Sequence, residues 1–328
     1  MEAWSITLLV ILCIVIAVLC VKYYNAVTIG WNHSPTCLVG KTVVITGANI
    51  GIGFYTALDF AKRGARVILA CRNKPKAEKA QAKIIEETGN ANVIVRIVDL
   101  SSLNSVRQFA KEINETEERL DVLVNNAGIG CIDHSYTADG LSLTMQSNHF
   151  GPFLLTILLI DLMKRSSPSR IVVVSSDLAT IGRININDLN SPVGTIFAKA
   201  LDYSNTKLCN LLFTVELAKK LKNTGITVNA VHPGAVQTDF LKETKSIWQK
   251  MLKLNMTLFY RSTEAGAQTS IYAATSKDIE GITGCYFKDC KRVSMPRSAQ
   301  NVELARKVWE ESEQFVKLSF EEKKCFQL

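Results

Sequence analysis

Three glycines fall within seven residues in the stretch TGANIGIGF: Gly47, Gly51 and Gly53, directly after the apolar run Thr42–Ile45. A chain that leaves a strand and enters a helix with so few side chains keeps its backbone N–H groups open to an anion. The helix N-terminus adds a field that favours phosphate. The spacing G-x-x-x-G-x-G behind a strand suits the pyrophosphate of a dinucleotide, although a glycine-rich turn can look the same. A second pair carries different chemistry. Tyr203 and Lys207 stand four residues apart, one helical turn. An ammonium at that distance favours the phenolate and moves a phenol of pKa about 10 toward the range where it can exchange protons at neutrality. Without a reacting group beside them, the same two residues are an ordinary tyrosine and lysine on a helix surface.

Positioning these groups requires a sheet. Short β-branched runs, apolar on both faces, occur at Thr42–Ile45, Val67–Ala70, Val93–Val98, Val122–Asn125, Ile171–Val174 and Thr227–Val231. Such runs are how parallel strands covered on both sides appear in sequence. Helical stretches alternate with them: Phe54–Arg63, Lys74–Thr88, Ser102–Ile113 and a long one over Gly140–Lys164. The alternation predicts an α/β, Rossmann-type doubly wound parallel sheet in a single domain. Phe153–Met163 is very apolar but too short to span a bilayer, so it is a core helix or a subunit-interface helix, the latter hinting at a homodimer. Leu241–Phe259 has apolar residues at near-helical spacing with lysines between, as in a surface helix, a lid over an apolar substrate, or a segment touching the bilayer.

The 328 residues are 47% hydrophobic, enough for a proper core. The net charge of +8 is scattered, with no basic arm, which argues against a nucleic-acid partner. Nine cysteines without regular spacing and four histidines without an HExxH pattern point to reduced thiols and to no metal site. The uncharged segment Ile6–Val21, flanked by Trp4 and by Tyr23 and Tyr24, has near the minimum length of a membrane-spanning helix. Its weak n-region and poor cleavage site favour an uncleaved anchor over a secretory signal. Lys22 after the span and Glu2 before it favour a cytosolic catalytic domain. Sequons at Asn32, Asn114 and Asn255 make that topology testable. The chain divides into an N-terminal transmembrane anchor (1–24), a polar linker (25–39), a catalytic domain (40–315) and a C-terminal tail (316–328). Cys325 in that tail stands four from the end, but Gln327 occupies a place where a prenylation signal prefers an aliphatic residue.

Further motifs follow the glycine turn in a fixed order. Asn125-Asn126-Ala127-Gly128 ends the fourth strand, Asp99 closes the third, Ser175-Ser176 ends the fifth, and Asn148 lies between. Tyr203-Ser204-Asn205-Thr206-Lys207 has the form Y-x-x-x-K, and Pro233-Gly234 follows the sixth strand. With these the sequence resembles the short-chain dehydrogenase/reductase superfamily from roughly Gly40 to Phe287. The phrases TGANIGIG, ILACRN, HFGPFLLT, GRININDLN and VHPGAVQTD, and the leader, resemble its membrane-anchored retinol dehydrogenase branch. Two departures are Thr206, where serine is common, and a Ser176-to-Tyr203 gap of 27 residues, longer than in compact soluble members.

The resemblance implies a catalytic set of Tyr203, Lys207, Ser176 and Asn148. Tyr203 is the general acid/base; Lys207 lowers its pKa and bonds the nicotinamide ribose. Ser176 holds the substrate oxygen, and Asn148 anchors a proton-relay water. The cofactor-binding set is Gly47, Asn49, Ile50, Gly51, Ile52, Gly53, Arg72, Asp99, Leu100, Asn126, Ala127, Gly128, Pro233 and Gly234, together with Tyr203 and Lys207. Asp99 is the adenine-contacting acid; as an alternative it caps the helix that begins near Ser102. At the end of the second strand, where a carboxylate would select NAD, this chain has Cys71-Arg72 with Lys74 and Lys76 close by, so NADP(H) is expected. The implied activity is interconversion of retinal and retinol, or of related apolar aldehydes and alcohols. A steroid or 3-keto lipid reductase is the alternative within the family. A non-catalytic NADPH-binding membrane scaffold is the alternative outside it, disfavoured by the intact serine, tyrosine and lysine. The endoplasmic reticulum membrane is the expected location, with a mitochondrial membrane as the alternative.

Overall fold

The computed structural model describes residues 3–130, 132, 134–186, 188–191, 198–236 and 260–326. Leu241–Phe259 and the sequon at Asn255 lie outside these residues. The chain opens with helix α1, Ala3–Thr28. Its window Thr7–Tyr24 has a mean hydropathy of 2.5 and no burial against the rest of the chain, and is long and apolar enough to cross a membrane. Strand β1 (Thr42–Thr46) then begins a repeating pattern. Helix α2 (Gly51–Lys62), β2 (Arg66–Cys71), α3 (Lys74–Thr88), β3 (Val93–Ile97), α4 (Leu103–Thr116) and β4 (Val122–Asn125) form the first half. The second half holds α5 (Gly151–Arg165), β5 (Ser169–Val174), α6 (Ala198–Lys220), β6 (Ile226–His232) and α7 (Thr263–Thr275). The hairpin β7 (Tyr286–Lys288) and β8 (Lys291–Val293) and helix α8 (Val302–Phe315) follow, and short helix α9 (Phe320–Lys323) comes last.

The strands form one sheet in the order β3-β2-β1-β4-β5-β6-β7-β8. Every pairing is parallel except that of β7 with β8. The chain winds outward in one direction from β1 to β3 and in the other from β4 to β8. The crevice at the carboxyl ends of β1 and β4 is therefore the switch point where such sheets take a ligand. β1 is buried along its whole length, because α2, α3 and α7 cover one face of the sheet and α4, α5, α6 and α8 the other.

The expected long helix over Gly140–Lys164 is interrupted. Gly140 takes φ +76° in a turn closed by Gly140 N–H to Thr137 O, so helix begins only at Leu143. A π-helical turn, Gln146–Phe150, separates Leu143–Met145 from α5. The apolar stripe Phe153–Met163 is covered within this chain. Trp309 of α8 packs edge-on against Phe153 at 4.9 Å and stacks on Phe213 of α6 at 5.9 Å. The stripe is thus core, and the reason it gave for expecting a homodimer is removed.

The segment between α1 and the sheet lies across the domain. Asn32 Nδ2 donates to Thr275 Oγ1 at 3.2 Å, Thr36 Oγ1 donates to Thr275 O at 2.8 Å, and Arg63 Nη1 donates to Ser34 O at 2.6 Å. Gly30 lies so close to the β7–β8 turn that a Cβ there would stand 1.9 Å from Asp289 O. The C-terminal segment is docked as well. Arg107 pairs with Glu322 at 2.7 Å and bonds Val316 O at 3.0 Å. Cys325 is buried, and burial pushes its thiol up to about 12.

Candidate active site

The glycine turn is built for close approach. Gly47 and Gly51 take φ +67° and +61°, values that favour glycine. Gly53 is required by space instead: a Cβ there would lie 2.5 Å from both Asn126 Nδ2 and Gly47 O. Helix α2 starts at Gly51 with Ile50 as its N-cap in extended backbone, and no side chain caps it. A Ser, Thr or Asp would normally fill that place, so the first-turn N–H groups of α2 stay open for an anionic group. Asn49 and Ile52 flank this opening. Opposite it, Thr46 Oγ1 accepts from the backbone N–H groups of Asn126 and Ala127, each at 3.0 Å, and Asn126 Nδ2 donates to Thr46 O at 2.8 Å. The ends of β1 and β4 are thereby stitched into one crevice floor. These residues fit a dinucleotide phosphate.

Arg72 follows β2 immediately, is exposed, and has no ion-pair partner among the described residues. Beneath the turn, burial pushes the Cys71 thiol up to about 11, against hydrogen bonds from Ala48 and Asn49. Asp99 lies two residues past β3. Its Oδ1 accepts from Ser101 N at 2.9 Å and Ser101 Oγ at 2.6 Å, while Ser102 caps α4. The helix-capping alternative for Asp99 is therefore not what the structure shows. Leu100 is buried, and its carbonyl sits where a Cβ on Gly151 would collide at 2.4 Å.

Tyr203 and Lys207 project from α6. Lys207 is buried; its Nζ donates to Val174 O at the end of β5 at 2.9 Å and lies 5.4 Å from the Tyr203 ring centroid. Burial lowers its pKa to about 8. The two serines after β5 differ. Ser175 is buried and donates to Lys207 O at 2.8 Å, which fixes the helix; Ser176 is half-buried and accepts from Leu178 N at 3.2 Å. Asn148 lies in the π-helical turn. Its Oδ1 accepts from Ile129 N and its Nδ2 donates to Ile129 O, both at 2.7 Å, and Nδ2 also donates to Thr206 Oγ1 at 3.1 Å. Thr206 in turn donates to Tyr203 O at 2.7 Å, so the residue that departs from the family's serine ties Asn148 to the backbone of the tyrosine. Gly128 is where these meet: a Cβ there would be 3.4 Å from both Asn148 Oδ1 and Lys207 Nζ.

After β6, Gly234 takes φ +84° beside the Arg261 side chain, which pairs with Asp289. His232, Tyr286, Lys288 and Asp177 also gather here, and none of the four is among the site residues expected from the sequence. Their only sequence signal was adjacency, Asp177 next to Ser176 and His232 next to Pro233. The pairing partners are more than fifty residues away in the chain.

A family model described as short chain dehydrogenase matches residues 41–249. The chain belongs to the short chain dehydrogenase family. It is 44% identical over 299 residues to human retinol dehydrogenase 14, covering 87% of this chain and 88% of that protein. To human retinol dehydrogenase 13 it is 42% identical over 296 residues, covering 89% of each. The crystal structure of an uncharacterized protein from Mycobacterium paratuberculosis superimposes with a TM-score of 0.71 at 34% identity, over 89% of this chain and 99% of that one. This short chain dehydrogenase is thus an oxidoreductase acting on CH–OH groups, related to the retinol dehydrogenases.

Proposed function

We propose that this short chain dehydrogenase is a membrane-anchored, NADP(H)-dependent oxidoreductase that interconverts retinal and retinol, or related apolar aldehydes and alcohols. One observation carries the reading: the buried ammonium of Lys207, held on Val174 O, lies 5.4 Å from the ring of Tyr203, beside the crevice at the ends of β1 and β4. That arrangement favours a phenolate, which a proton-exchanging tyrosine needs. When bound, the nicotinamide supplies or takes up hydride. Tyr203 gives a proton to the carbonyl oxygen in reduction and removes one from the alcohol in oxidation. Ser176 holds that oxygen through its hydroxyl. Asn148 secures Ile129 and Thr206 and keeps a second lone pair on Oδ1 for a relay water.

The open N-terminus of α2 and the glycines of the turn would hold the pyrophosphate, with Asn126, Ala127 and Gly128 as the opposite wall and Pro233 and Gly234 at the nicotinamide end. Asp99 and Leu100 would lie along the adenine. Arg72, exposed and with no ion-pair partner among the described residues, supports a 2′-phosphate and hence NADP(H). The apolar helix α1 and the retinol dehydrogenase relatives support a bilayer location and an oily substrate. Lys22 after the apolar span and Glu2 before it support a cytosolic domain at the endoplasmic reticulum or a mitochondrial membrane. The experiment is NADPH oxidation by the full-length protein with all-trans-retinal, medium-chain aldehydes and ketosteroids. Turnover of retinal or the aldehydes, faster with NADPH than NADH, is expected; no turnover with any carbonyl would overturn the reading.

A further inference from the structure

We propose that Asp177 is a positioning residue for the reaction, bracing the segment that carries Ser176 against β6 and against the β7–β8 hairpin. The proposal rests on the reading of Ser176 given above. Asp177 is the first residue of a 3-10 turn, Asp177–Ile181, for which Ser176 is the N-cap. At its far end this turn is fixed to α6, where a Cβ on Gly182 would meet Leu208 Cβ and Ser204 O, each at 3.0 Å. Its near end has little apolar burial. Leu178 and Ile181 are exposed, and Ala179 alone is buried. What holds the near end is polar and converges on one residue.

The backbone N–H of Asp177 donates to His232 Nδ1 at 3.2 Å. Its Oδ2 accepts from Lys288 Nζ at 2.6 Å and lies 3.2 Å from His232 Nε2; its Oδ1 accepts from Tyr286 OH at 3.3 Å. His232 is buried, and burial lowers its pKa to about 4, so the ring is neutral. With Nδ1 accepting, the ring proton sits on Nε2. Burial pushes the carboxyl of Asp177 up, but the hydrogen bond and charge of Lys288 and the hydrogen bond from Tyr286 outweigh it and hold the group below the usual carboxylate range.

An isolated exposed ion pair would contribute little. Here three partners from two strands meet one carboxylate, and each has a neighbour that matters. His232 leads into Pro233-Gly234. Tyr286 pairs across the sheet with Ala230 of β6, two residues before His232. Lys288 leads into the turn packed on Gly30. Asp177 therefore joins the substrate-oxygen side of the site to its cofactor side, and small displacements of Ser176 are costly to turnover.

The test uses the full-length protein, NADPH and all-trans-retinal, with turnover expressed per NADPH-binding site so that unfolded protein does not count. Asp177→Ala and Lys288→Met are each expected to lower kcat at least tenfold, with the Kd for NADPH unchanged within twofold. The double variant is expected to be no worse than either single one, because the two act as a unit. Asp177→Glu is expected to recover most of kcat. Ser176→Ala is run beside them. If it loses turnover while Asp177→Ala and Lys288→Met keep theirs within twofold, the brace is wrong. If Ser176→Ala itself keeps full turnover, the reading beneath the proposal is wrong. Should Asp177→Ala fail to fold, Asp177→Asn and Lys288→Met decide the matter by the same criteria.

Discussion

Lys207 Nζ donates to the carbonyl of Val174 at 2.9 Å while lying 5.4 Å from the ring of Tyr203. The end of strand β5 thus holds an ammonium in place next to a phenol one helical turn away. Holding it there has a cost, because the group is buried and its pKa falls from 10.5 to about 8. The unfolded chain binds this proton up to about pH 10.5, and the folded chain releases it near pH 8. Stability from this group is therefore lowest below pH 8 and recovers as the pH rises toward 10.5. Lys207→Met should raise the stability of the apo protein at pH 7, by about 3 kcal/mol at most, less whatever the unpaired Val174 carbonyl costs. The gain should vanish by about pH 10.5. Urea unfolding at both pH values checks this; a gain that grew with pH would contradict it.

Gly53→Ala tests the crevice floor. Its Cβ would meet Asn126 Nδ2 and Gly47 O at 2.5 Å, and the latter is backbone that cannot step aside. Overpacking of this kind costs about 1–3 kcal/mol. Because it displaces the turn proposed to face the phosphates, the Kd for NADPH should rise at least about tenfold. Titration of the protein's fluorescence with NADPH measures it, and an unchanged Kd would contradict the placement.

Arg72→Ala tests the cofactor choice. A charge-assisted hydrogen bond to phosphate contributes about 1.5–3 kcal/mol. The variant should lose roughly ten- to a hundredfold in NADPH affinity and keep its NADH affinity. Equal losses for both cofactors would assign Arg72 a structural role.

Much of this site was legible in the sequence because its motifs are local. Gly47 to Gly53, Asn126 to Gly128, and Tyr203 to Lys207 each lie within one turn or one strand end, where spacing alone fixes geometry. Six of the strands declared themselves as β-branched runs. β7 and β8 did not, since each has three residues and charged side chains, too short for a period to show. The pairing of Asp177 with Lys288 spans 111 residues and leaves no local trace. The π-helical turn around Asn148 was hidden inside what read as one helix, as was the left-handed turn at Gly140 that delays the helix start to Leu143.

The cover of α5 was hidden for a similar reason. The stripe Phe153–Met163 announced a partner but not which one, and Trp309 arrives from about 150 residues later. Trp309→Ala should lower unfolding free energy by about 3–5 kcal/mol and leave the Kd for NADPH unchanged, since α8 lies across the sheet from the glycine turn. Denaturant unfolding beside NADPH titration checks both halves; a loss under about 1 kcal/mol would show that this aromatic cluster is not core.

The central claim concerns Tyr203, and Tyr203→Phe tests it most directly. The ring and the fold remain while the single oxygen proposed to exchange a proton is removed. Turnover of all-trans-retinal with NADPH should fall at least about a thousandfold, somewhere in the range expected for loss of general acid–base catalysis, while the Kd for NADPH stays within twofold. A variant that bound NADPH normally and still reduced retinal at a comparable rate would contradict the account.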